Sequence, residues 1–261
     1  MHILQMRKAM RYRSSFFSLV LASLAFLCTS TLAEQSHSKC ELRVGWDDWP
    51  PYIEFENGQF YGLEYGLLKA TADAAGCSLD MIQVPWVRAL HMLSKGSLDL
   101  LYGASYSEER DEFSRYSLPY RQEQFVLITK REAYDQGRSV SLHDWLQSTP
   151  AHGGRSPLGL FRGNFYGEKM ERILDDNKDN VERVYLGSNE QMIEMLTRNR
   201  LDGFITEDGV ARMLAGTFPP ALQRLVIKEQ VADPLHYIFS LEVPVEVIER
   251  FNAAIINDTQ D

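Results

Sequence analysis

The feature that most constrains the fold of this chain is an alternation of short apolar runs with amphipathic segments. Between residues 41 and 104, strand-like runs alternate with segments whose apolar residues recur at helical spacing. The alternation starts again after a long strand candidate at 123–131. Strands that alternate with helices form crossover units in which neighbouring strands run parallel. The pattern therefore predicts an α/β fold with mostly parallel sheets.

Ordinary start and stop signals bound the predicted elements, such as Pro85 at a helix opening and Gly76 and Gly96 at helix ends. Strands are predicted at 41–46, 79–84, 98–104, 123–131, 157–163, 181–187, 201–207, 222–229 and 235–241. Helices are predicted at 62–76, 85–96, 141–147, 166–176, 188–200, 208–216 and 244–257.

Two α/β stretches of ordinary domain size follow from this order. Loop-rich gaps at 133–140 and 230–234 end the first and second stretches, and the short tail is expected to return to the first. The chain thus predicts a clamshell of two α/β lobes joined by two hinge strands, with lobe 1 at 34–129 and 230–261 and lobe 2 at 130–229. Ligands of open α/β sheets bind beyond the carboxyl ends of the strands, so a crevice is expected between the lobes.

The first 33 residues carry the pattern of a cleavable secretory signal peptide. Four basic residues precede an apolar run that is short for a membrane span, and a small residue stands at the expected cut after Ala33. A membrane anchor is the weaker alternative. Lipid attachment at Cys28 is disfavoured because Leu27, not a small residue, precedes it.

The mature chain that remains is strongly acidic. Removal of residues 1–33 takes away four of the 27 Lys and Arg residues and none of the 36 Asp and Glu residues, which leaves a formal net charge of −13. This balance argues against nucleic acid or an anionic membrane surface as a partner.

Two cysteines, Cys40 and Cys77, remain after processing. An even number of cysteines in an exported chain favours a disulfide over two unpaired thiols. Each cysteine stands just before a predicted strand. If those strands are parallel neighbours, the two thiols lie at the same sheet edge within bridging reach.

Aromatic residues follow two predicted strands of the first stretch. Trp49 precedes two prolines that stiffen the backbone, and Trp86 opens a helix. Rigid aromatic side chains at strand ends suit the wall of a ligand pocket, although a core position is nearly as plausible for each. Arg88 follows closely, and we interpret it as structural.

The segment "GASYSEER", residues 103–110, follows the third strand. Gly103 allows close backbone approach, Ser105 offers a hydroxyl group, and Arg110 begins the next helical turn. A guanidinium beside backbone N–H donors fits a carboxylate through two parallel hydrogen bonds. The alternative is that Arg110 pairs with Glu109, Glu112 or solvent.

The second stretch offers a complementary pair of features. The turn at 161–167 opens a helix, where exposed N–H groups favour an anion, and its contacting positions are Asn164 and Phe165. Glu207 ends a strand and is placed to neutralise a ligand ammonium group, although helix capping is its alternative role. Opposite charges on two lobes fit a zwitterion such as an amino acid.

Seven segments, in their order and spacing, together resemble the family 3 solute-binding proteins, the periplasmic receptors for polar amino acids of ABC importers. The segments are "WPPY", "GLEYGLL", "PWVRAL", "KGSLDL", "SYSEERDEFSRYSLPY", "RGNFYG" and "RLDGFITEDGVA". The resemblance runs from about residue 41 to residue 257. It implies a periplasmic-binding-protein-like clamshell that closes on a small polar solute and delivers it to a membrane permease. It also implies a periplasmic location, a monomer and no cofactor.

The resemblance also implies roles for individual residues. Arg110 matches the arginine that grips the ligand carboxylate, and Glu207 matches the acid that takes the α-amino group. Ser105 and Gly103 match neighbouring contacts. Trp49 and Trp86 match positions that pack against the ligand side chain. Asn164 and Phe165 match the second-lobe turn that also holds the carboxylate.

Three departures from the family pattern leave the ligand open. The family usually has Asp where Glu207 stands and a hydroxyl residue where Gly103 stands, and Gly66 replaces a frequent acid. A role as the ligand-sensing partner of a membrane signalling protein is therefore an alternative. A cyclohexadienyl dehydratase-like enzyme is a weaker one, because it needs a general acid and Glu207 is the only obvious candidate. No histidine pair has metal-ligand spacing.

Overall fold

A computed structural model describes residues 40–131, 138–148, 154–216, 218–230 and 232–258. The predicted signal peptide at 1–33 lies outside these residues. Within the described ranges, no helix combines the length and the apolar character that a membrane crossing requires.

The strands in chain order are β1 (Cys40–Trp46), β2 (Glu54–Glu56), β3 (Gln59–Tyr61), β4 (Cys77–Gln83), β5 (Leu100–Ser105), β6 (Ser114–Glu123), β7 (Phe125–Lys130), β8 (Ser139–Val140), β9 (Ser156–Phe161), β10 (Val181–Leu186), β11 (Gly203–Glu207), β12 (Leu222–Ile227) and β13 (Asp233–Ser240). The helices are α1 (Leu63–Ala74), α2 (Trp86–Ser94), α3 (Glu108–Asp111), α4 (Leu142–Ser148), α5 (Glu168–Asp176), α6 (Asn189–Thr197), α7 (Asp208–Leu214) and α8 (Val245–Asp258).

Two sheets confirm the predicted α/β clamshell. The first lobe is built on the sheet β4-β1-β5-β13-β6, in which β4, β1 and β5 run parallel and β13 runs antiparallel to both of its neighbours. The second lobe is built on the sheet β10-β9-β11-β7-β12-β8, in which β10, β9 and β11 run parallel. The chain passes between the sheets after β6 and again between β12 and β13.

Each lobe encloses its own apolar core. Alternate residues of β1 and β5 point to opposite faces of the first sheet, so Leu100 packs with Leu68 of α1 and Phe251 of α8. Leu101, on the other face, packs with Leu93 of α2. Separate cores let each lobe hold its shape while the cleft between them remains accessible.

The predicted boundary at residue 129 differs from the sheet pairing. It places Phe125–Lys130 in lobe 1, whereas β7 pairs with β11 and β12 of the second sheet. The first passage between the sheets is therefore at Gln124. The strand candidate at 123–131 contains all of β7. Its hydrophobicity predicts a strand but does not indicate to which of the two sheets that strand belongs.

The strand β6 was not predicted from the sequence. It contains Pro119 and several polar residues, and it forms the edge of the first sheet, where its register with β13 shifts at His236. Proline is tolerated on edge strands, where an N–H group is not needed for the ladder. The short hairpin β2-β3 and the two-residue strand β8 were also missed.

The predicted disulfide is confirmed. Cys40 and Cys77 are directly paired in the parallel register of β1 and β4, with their Cα atoms 4.5 Å apart, and their sulfur atoms are bonded. The bridge ties the beginnings of these two strands together, at the end of the sheet away from the carboxyl ends of β1 and β5.

Candidate functional site

A cleft of about 1060 Å³ lies between the two sheets at the carboxyl ends of their parallel strands. Residues from both lobes line it. The structure brings all eight sequence-predicted site residues to this cleft: Trp49, Trp86, Gly103, Ser105, Arg110, Asn164, Phe165 and Glu207.

Arg110 is held in the cleft by the turn that carries it. The hydroxyl group of Ser107 caps α3 by accepting from the Arg110 backbone N–H at 3.3 Å. The Arg110 side chain, 6% exposed, donates from Nη1 to the Ser105 carbonyl oxygen at 2.9 Å and from Nη2 to the Gly163 carbonyl oxygen at 3.1 Å.

The Arg110 guanidinium forms no ion pair with any described residue, so the alternative salt bridges to Glu109 and Glu112 are not found. Burial lowers the pKa of Arg110, although a guanidinium stays protonated at any physiological pH. The Trp86 ring centroid lies 5.6 Å from Arg110 Cζ. A buried cation without an anionic partner is a group that an anionic ligand would stabilise.

Glu207 closes the other side of the cleft. Its side chain is 8% exposed, and its Oε2 accepts from the Val210 backbone N–H at 3.0 Å and from the Tyr52 hydroxyl at 2.6 Å. The capping role that the sequence left open is therefore real. Asp208, the alternative cap, instead forms ion pairs with Arg212 and Arg224.

Tyr52 reaches Glu207 from the first lobe because the second lobe leaves room for its ring. A Cβ atom added at Gly209 would lie 2.1 Å from the Tyr52 hydroxyl oxygen. Burial, followed by the hydrogen bond to Glu207, raises the pKa of Tyr52, which keeps its hydroxyl group a donor.

Gly103 has a backbone reason to be glycine. Its φ of +64° lies in the left-handed region, and an added Cβ would lie 3.1 Å from Trp49 Cζ3. Its N–H donates to the Tyr120 hydroxyl at 2.8 Å. The departure at this position thus follows from the packing of Trp49 on the strand.

The second-lobe turn is fastened to the first lobe at Gly163. The Gly163 carbonyl oxygen accepts from Trp86 Nε1 at 3.1 Å in addition to Arg110. Asn164 and Phe165 follow this carbonyl and line the cleft, while the Asn164 N–H donates back to the Phe161 carbonyl oxygen at 3.3 Å.

The ion pair between Glu64 and Arg121 packs against two aromatic side chains of the first lobe. Glu64 is fully buried, and its carboxylate accepts from Arg121 Nε at 2.7 Å and from the Tyr120 hydroxyl. The Arg121 guanidinium lies over the rings of Tyr52 and Trp49, with Cζ 4.5 Å and 5.4 Å from their centroids. This cation–π stacking fixes both rings at the cleft.

Sequence reasoning missed Glu123, Tyr52 and Arg121. Tyr52 completes the "WPPY" segment, so the rigid prolines that directed attention to Trp49 also indicate it. Glu123 ends β6 and lines the cleft, and a strand-end rule applied to β6 would have found it. That rule was not applied because β6 was not recognised as a strand.

The donor set of the cleft does not resemble a metal centre. Among the described residues, no group of three or more His, Cys, Asp or Glu side chains has the geometry to hold a metal ion.

Comparison with protein families gives one clear match. The family of bacterial extracellular solute-binding proteins, family 3, matches residues 42–180, which is more than half of the chain. Comparison with curated proteins found no match.

Solved structures with the same fold are amino-acid-binding proteins at low sequence identity. The amino acid ABC transporter substrate-binding protein AbpA from Streptococcus pneumoniae, bound to L-arginine, has a TM-score of 0.68 and 23% identity, over 85% of this chain and 90% of that one. An ancestral arginine-binding protein bound to arginine has a TM-score of 0.69 and 20% identity, over 86% and 95%. An ancestral amino acid-binding protein, described as a precursor of cyclohexadienyl dehydratase, has a TM-score of 0.67 and 20% identity, over 85% and 90%.

Proposed function

Because the chain belongs to family 3 of the bacterial extracellular solute-binding proteins, we propose that it captures a small amino-acid-like zwitterion in the cleft for an ABC importer. The observation that carries this proposal is the pair of buried, opposite charges that face the cleft from the two lobes. Arg110 has no anionic partner among the described residues, and Glu207 ends a strand of the other lobe.

In the proposed complex the ligand carboxylate accepts two hydrogen bonds from Arg110, a geometry that a planar guanidinium favours. The ligand ammonium group donates to Glu207. The hydrogen bonds that this carboxylate accepts from described residues both go to Oε2. Trp49 and Trp86 cover the apolar part of the ligand, and the Asn164–Phe165 turn closes over it. The lobes, 40–123 with 233–258 and 125–227, move about the two passages between the sheets.

Relatives support the class of ligand and the partner. AbpA is an ABC transporter substrate-binding protein bound to L-arginine, and the ancestral relative is also bound to arginine. We extend this to an amino acid or analogue, a membrane permease, a monomeric receptor and a periplasmic location reached through cleavage after residue 33. Mass spectrometry of the exported protein tests the cleavage, and uptake of labelled amino acid with and without the gene separates importer from sensor.

The protein acts in this proposal by binding and not by catalysis. The dehydratase alternative assigned the general acid to Glu207, but Oε2 of that residue already accepts from Tyr52 and from the Val210 N–H. We expect no turnover when the pure protein is incubated with prephenate or arogenate. Measurable turnover would overturn the receptor-only proposal.

A thermal-shift screen with L-amino acids tests the binding proposal. A ligand at 100 times its dissociation constant adds about 2.7 kcal/mol to the free energy of unfolding, which is a readily measured shift. We expect at least one amino acid to raise the melting temperature of the wild type and none to raise that of Arg110→Ala. An equal shift in the variant would mean that Arg110 has a structural role only.

A further inference from the structure

One buried carboxyl group of the cleft has no assigned role. Glu123 ends β6 beside the first passage between the lobes, is 5% exposed and lines the cleft. Among the described residues, no hydrogen bond or ion pair within contact distance reaches its side chain. Asp233 stands opposite it in the ladder between β6 and β13.

The groups around Glu123 are mostly acidic. Glu207 on β11, Asp233 on β13 and Glu64 on α1 repel its negative charge, while Arg121 on β6 attracts it. Arg121, however, is already bonded to Glu64.

Arg110 on α3 and the hydroxyl groups of Tyr52 and Tyr166 also lie within electrostatic range of Glu123. Burial, followed by these repulsions, raises the pKa of Glu123 to about 8.

Once Glu123 is ionised, the buried groups that line the cleft carry a net negative charge. Arg110, Glu123 and Glu207 are buried, whereas the other charged lining residues are exposed to solvent: Asp47, Asp48, Arg88 and Arg162. A neutral zwitterion offers one carboxylate to Arg110 and one ammonium group to Glu207. It leaves Glu123 without a partner in a buried position, which is energetically unfavourable when the group is charged.

We propose that Glu123 is a specificity-determining residue that accepts an ammonium or guanidinium group at the side-chain end of the ligand, so that the cleft selects a cationic amino acid. This inference rests on the proposed function, because it takes the α-carboxylate at Arg110 and the α-ammonium group at Glu207 as given. A ligand with one negative and two positive groups matches Arg110, Glu207 and the ionised form of Glu123.

The choice between a cation and a neutral donor follows from charge. A neutral amide would bind the protonated form of Glu123 and would leave the acidic surroundings unchanged. A cation binds the ionised form and offsets the repulsion from Glu207 and Asp233 as well. A charge-assisted hydrogen bond in a buried site is also roughly twice as strong as a neutral one.

Isothermal titration calorimetry with L-arginine, L-lysine and L-glutamine at pH 7 tests this inference. We expect both cationic probes to bind the wild type more tightly than glutamine. Glu123→Gln should weaken binding of the cationic probes by at least about tenfold, because a neutral hydrogen bond replaces a charge-assisted one, and should change glutamine binding much less. Glu112→Gln, which removes the same charge from an exposed position, should leave all three affinities unchanged.

The pH dependence of wild-type binding supplies a test that needs no variant. Because the ligand-free protein holds a proton on Glu123 below pH 8 and a cation binds the ionised form, arginine binding releases a proton. Arginine affinity should therefore rise between pH 6 and pH 8, by at most about tenfold per pH unit, while glutamine affinity stays level.

The outcomes separate the two proposals. Glutamine binding as tight as arginine binding in the wild type, or an unchanged preference in Glu123→Gln, would overturn the role of Glu123 and leave the receptor proposal intact. Failure of every probe to bind the wild type, or full binding to Arg110→Ala, would overturn the receptor proposal and this inference with it. A circular dichroism spectrum and melting temperature confirm that each variant is folded.

Discussion

Two arginines of the first lobe, both largely shielded from solvent, differ in their partners. Arg121 is bonded to the fully buried Glu64 and stacked on two aromatic rings, and only its Nη2 lacks an acceptor among the described residues. Arg110 is the more deeply buried of the two, but it donates to backbone carbonyl oxygens and contacts no described carboxylate. The carboxylates show the same contrast, since Glu64 is paired and Glu123 is not.

This contrast distinguishes charges that stabilise the fold from charges that are available to a ligand. A buried ion pair with both partners present is self-contained, and removal of one member leaves the other charge uncompensated. A buried charge that meets no opposite charge is unfavourable in the protein alone, and a ligand that supplies the missing partner relieves it. Variants of Arg121 should therefore change mainly the stability of the protein, and variants of Arg110 should change mainly the binding of a ligand.

The largest effect on stability is expected from Arg121→Met. It leaves Glu64 ionised and buried without a cation, so the free energy of unfolding should fall by about 3–5 kcal/mol in urea denaturation. Arg172→Met is the matched control, because Arg172 and Glu168 form an exposed pair, and its change should stay below about 1 kcal/mol. Equal losses in the two variants would contradict the distinction.

The second effect is a pH dependence of stability that arises from Glu123. The folded state raises the pKa of this carboxyl group to about 8, from a usual value near 4.3, so the folded protein binds the extra proton between these values. Stability is therefore greatest at low pH within this window and falls as the pH rises toward 8.

Between pH 5 and pH 8 this loss should amount to roughly 2–4 kcal/mol in the wild type and should be largely absent in Glu123→Gln. Urea denaturation at several pH values measures both proteins. Parallel pH profiles for the two proteins would show that Glu123 is not the titrating group.

Arg110→Met should cost much less stability than Arg121→Met. The change removes one donor from the Ser105 carbonyl oxygen, whereas the Gly163 carbonyl oxygen keeps its hydrogen bond from Trp86. The loss should be about 1–2 kcal/mol at most, because the change also removes an uncompensated buried charge. Ligand binding should nevertheless disappear. A stability loss as large as that of Arg121→Met would place Arg110 among the residues that hold the fold.

The smallest effect is expected from Gly103→Ala. Its backbone φ of +64° disfavours any side chain, and the new methyl group would press on Trp49. We expect a loss of about 1 kcal/mol in stability and a weaker ligand affinity through displacement of the indole ring. A stabilised variant with unchanged affinity would show that glycine is not required there.

Much of the fold was readable from the sequence because its signals are local. Hydrophobic periodicity located the parallel strands and their helices, and the positions of Cys40 and Cys77 before two such strands indicated the disulfide. The strand-end rule then brought Arg110 and Glu207 to one cleft. Their roles toward a ligand remain predictions.

The features that were missed depend on contacts between distant segments. Pro119 obscured β6, because a strand that tolerates proline is recognised from its edge position and not from its composition. Glu64 is a charged residue of a helix, and its burial depends on Arg121 and Tyr120, which meet its carboxylate from β6. Glu123 gained its importance from Glu207 and Asp233, which approach it from other strands.

Arg110 has no carboxylate partner among the described residues, and in the proposed complex the ligand carboxylate supplies one. Calorimetric titration of L-arginine and L-arginine amide into the wild type and Arg110→Met tests this pairing, because the amide replaces the carboxylate with a neutral group and keeps the guanidinium group. We predict that amidation weakens wild-type binding about 30-fold or more, as loss of one partner of a buried charge pair does, and that the variant no longer distinguishes the two compounds. Equal affinity of the wild type for acid and amide would contradict the account.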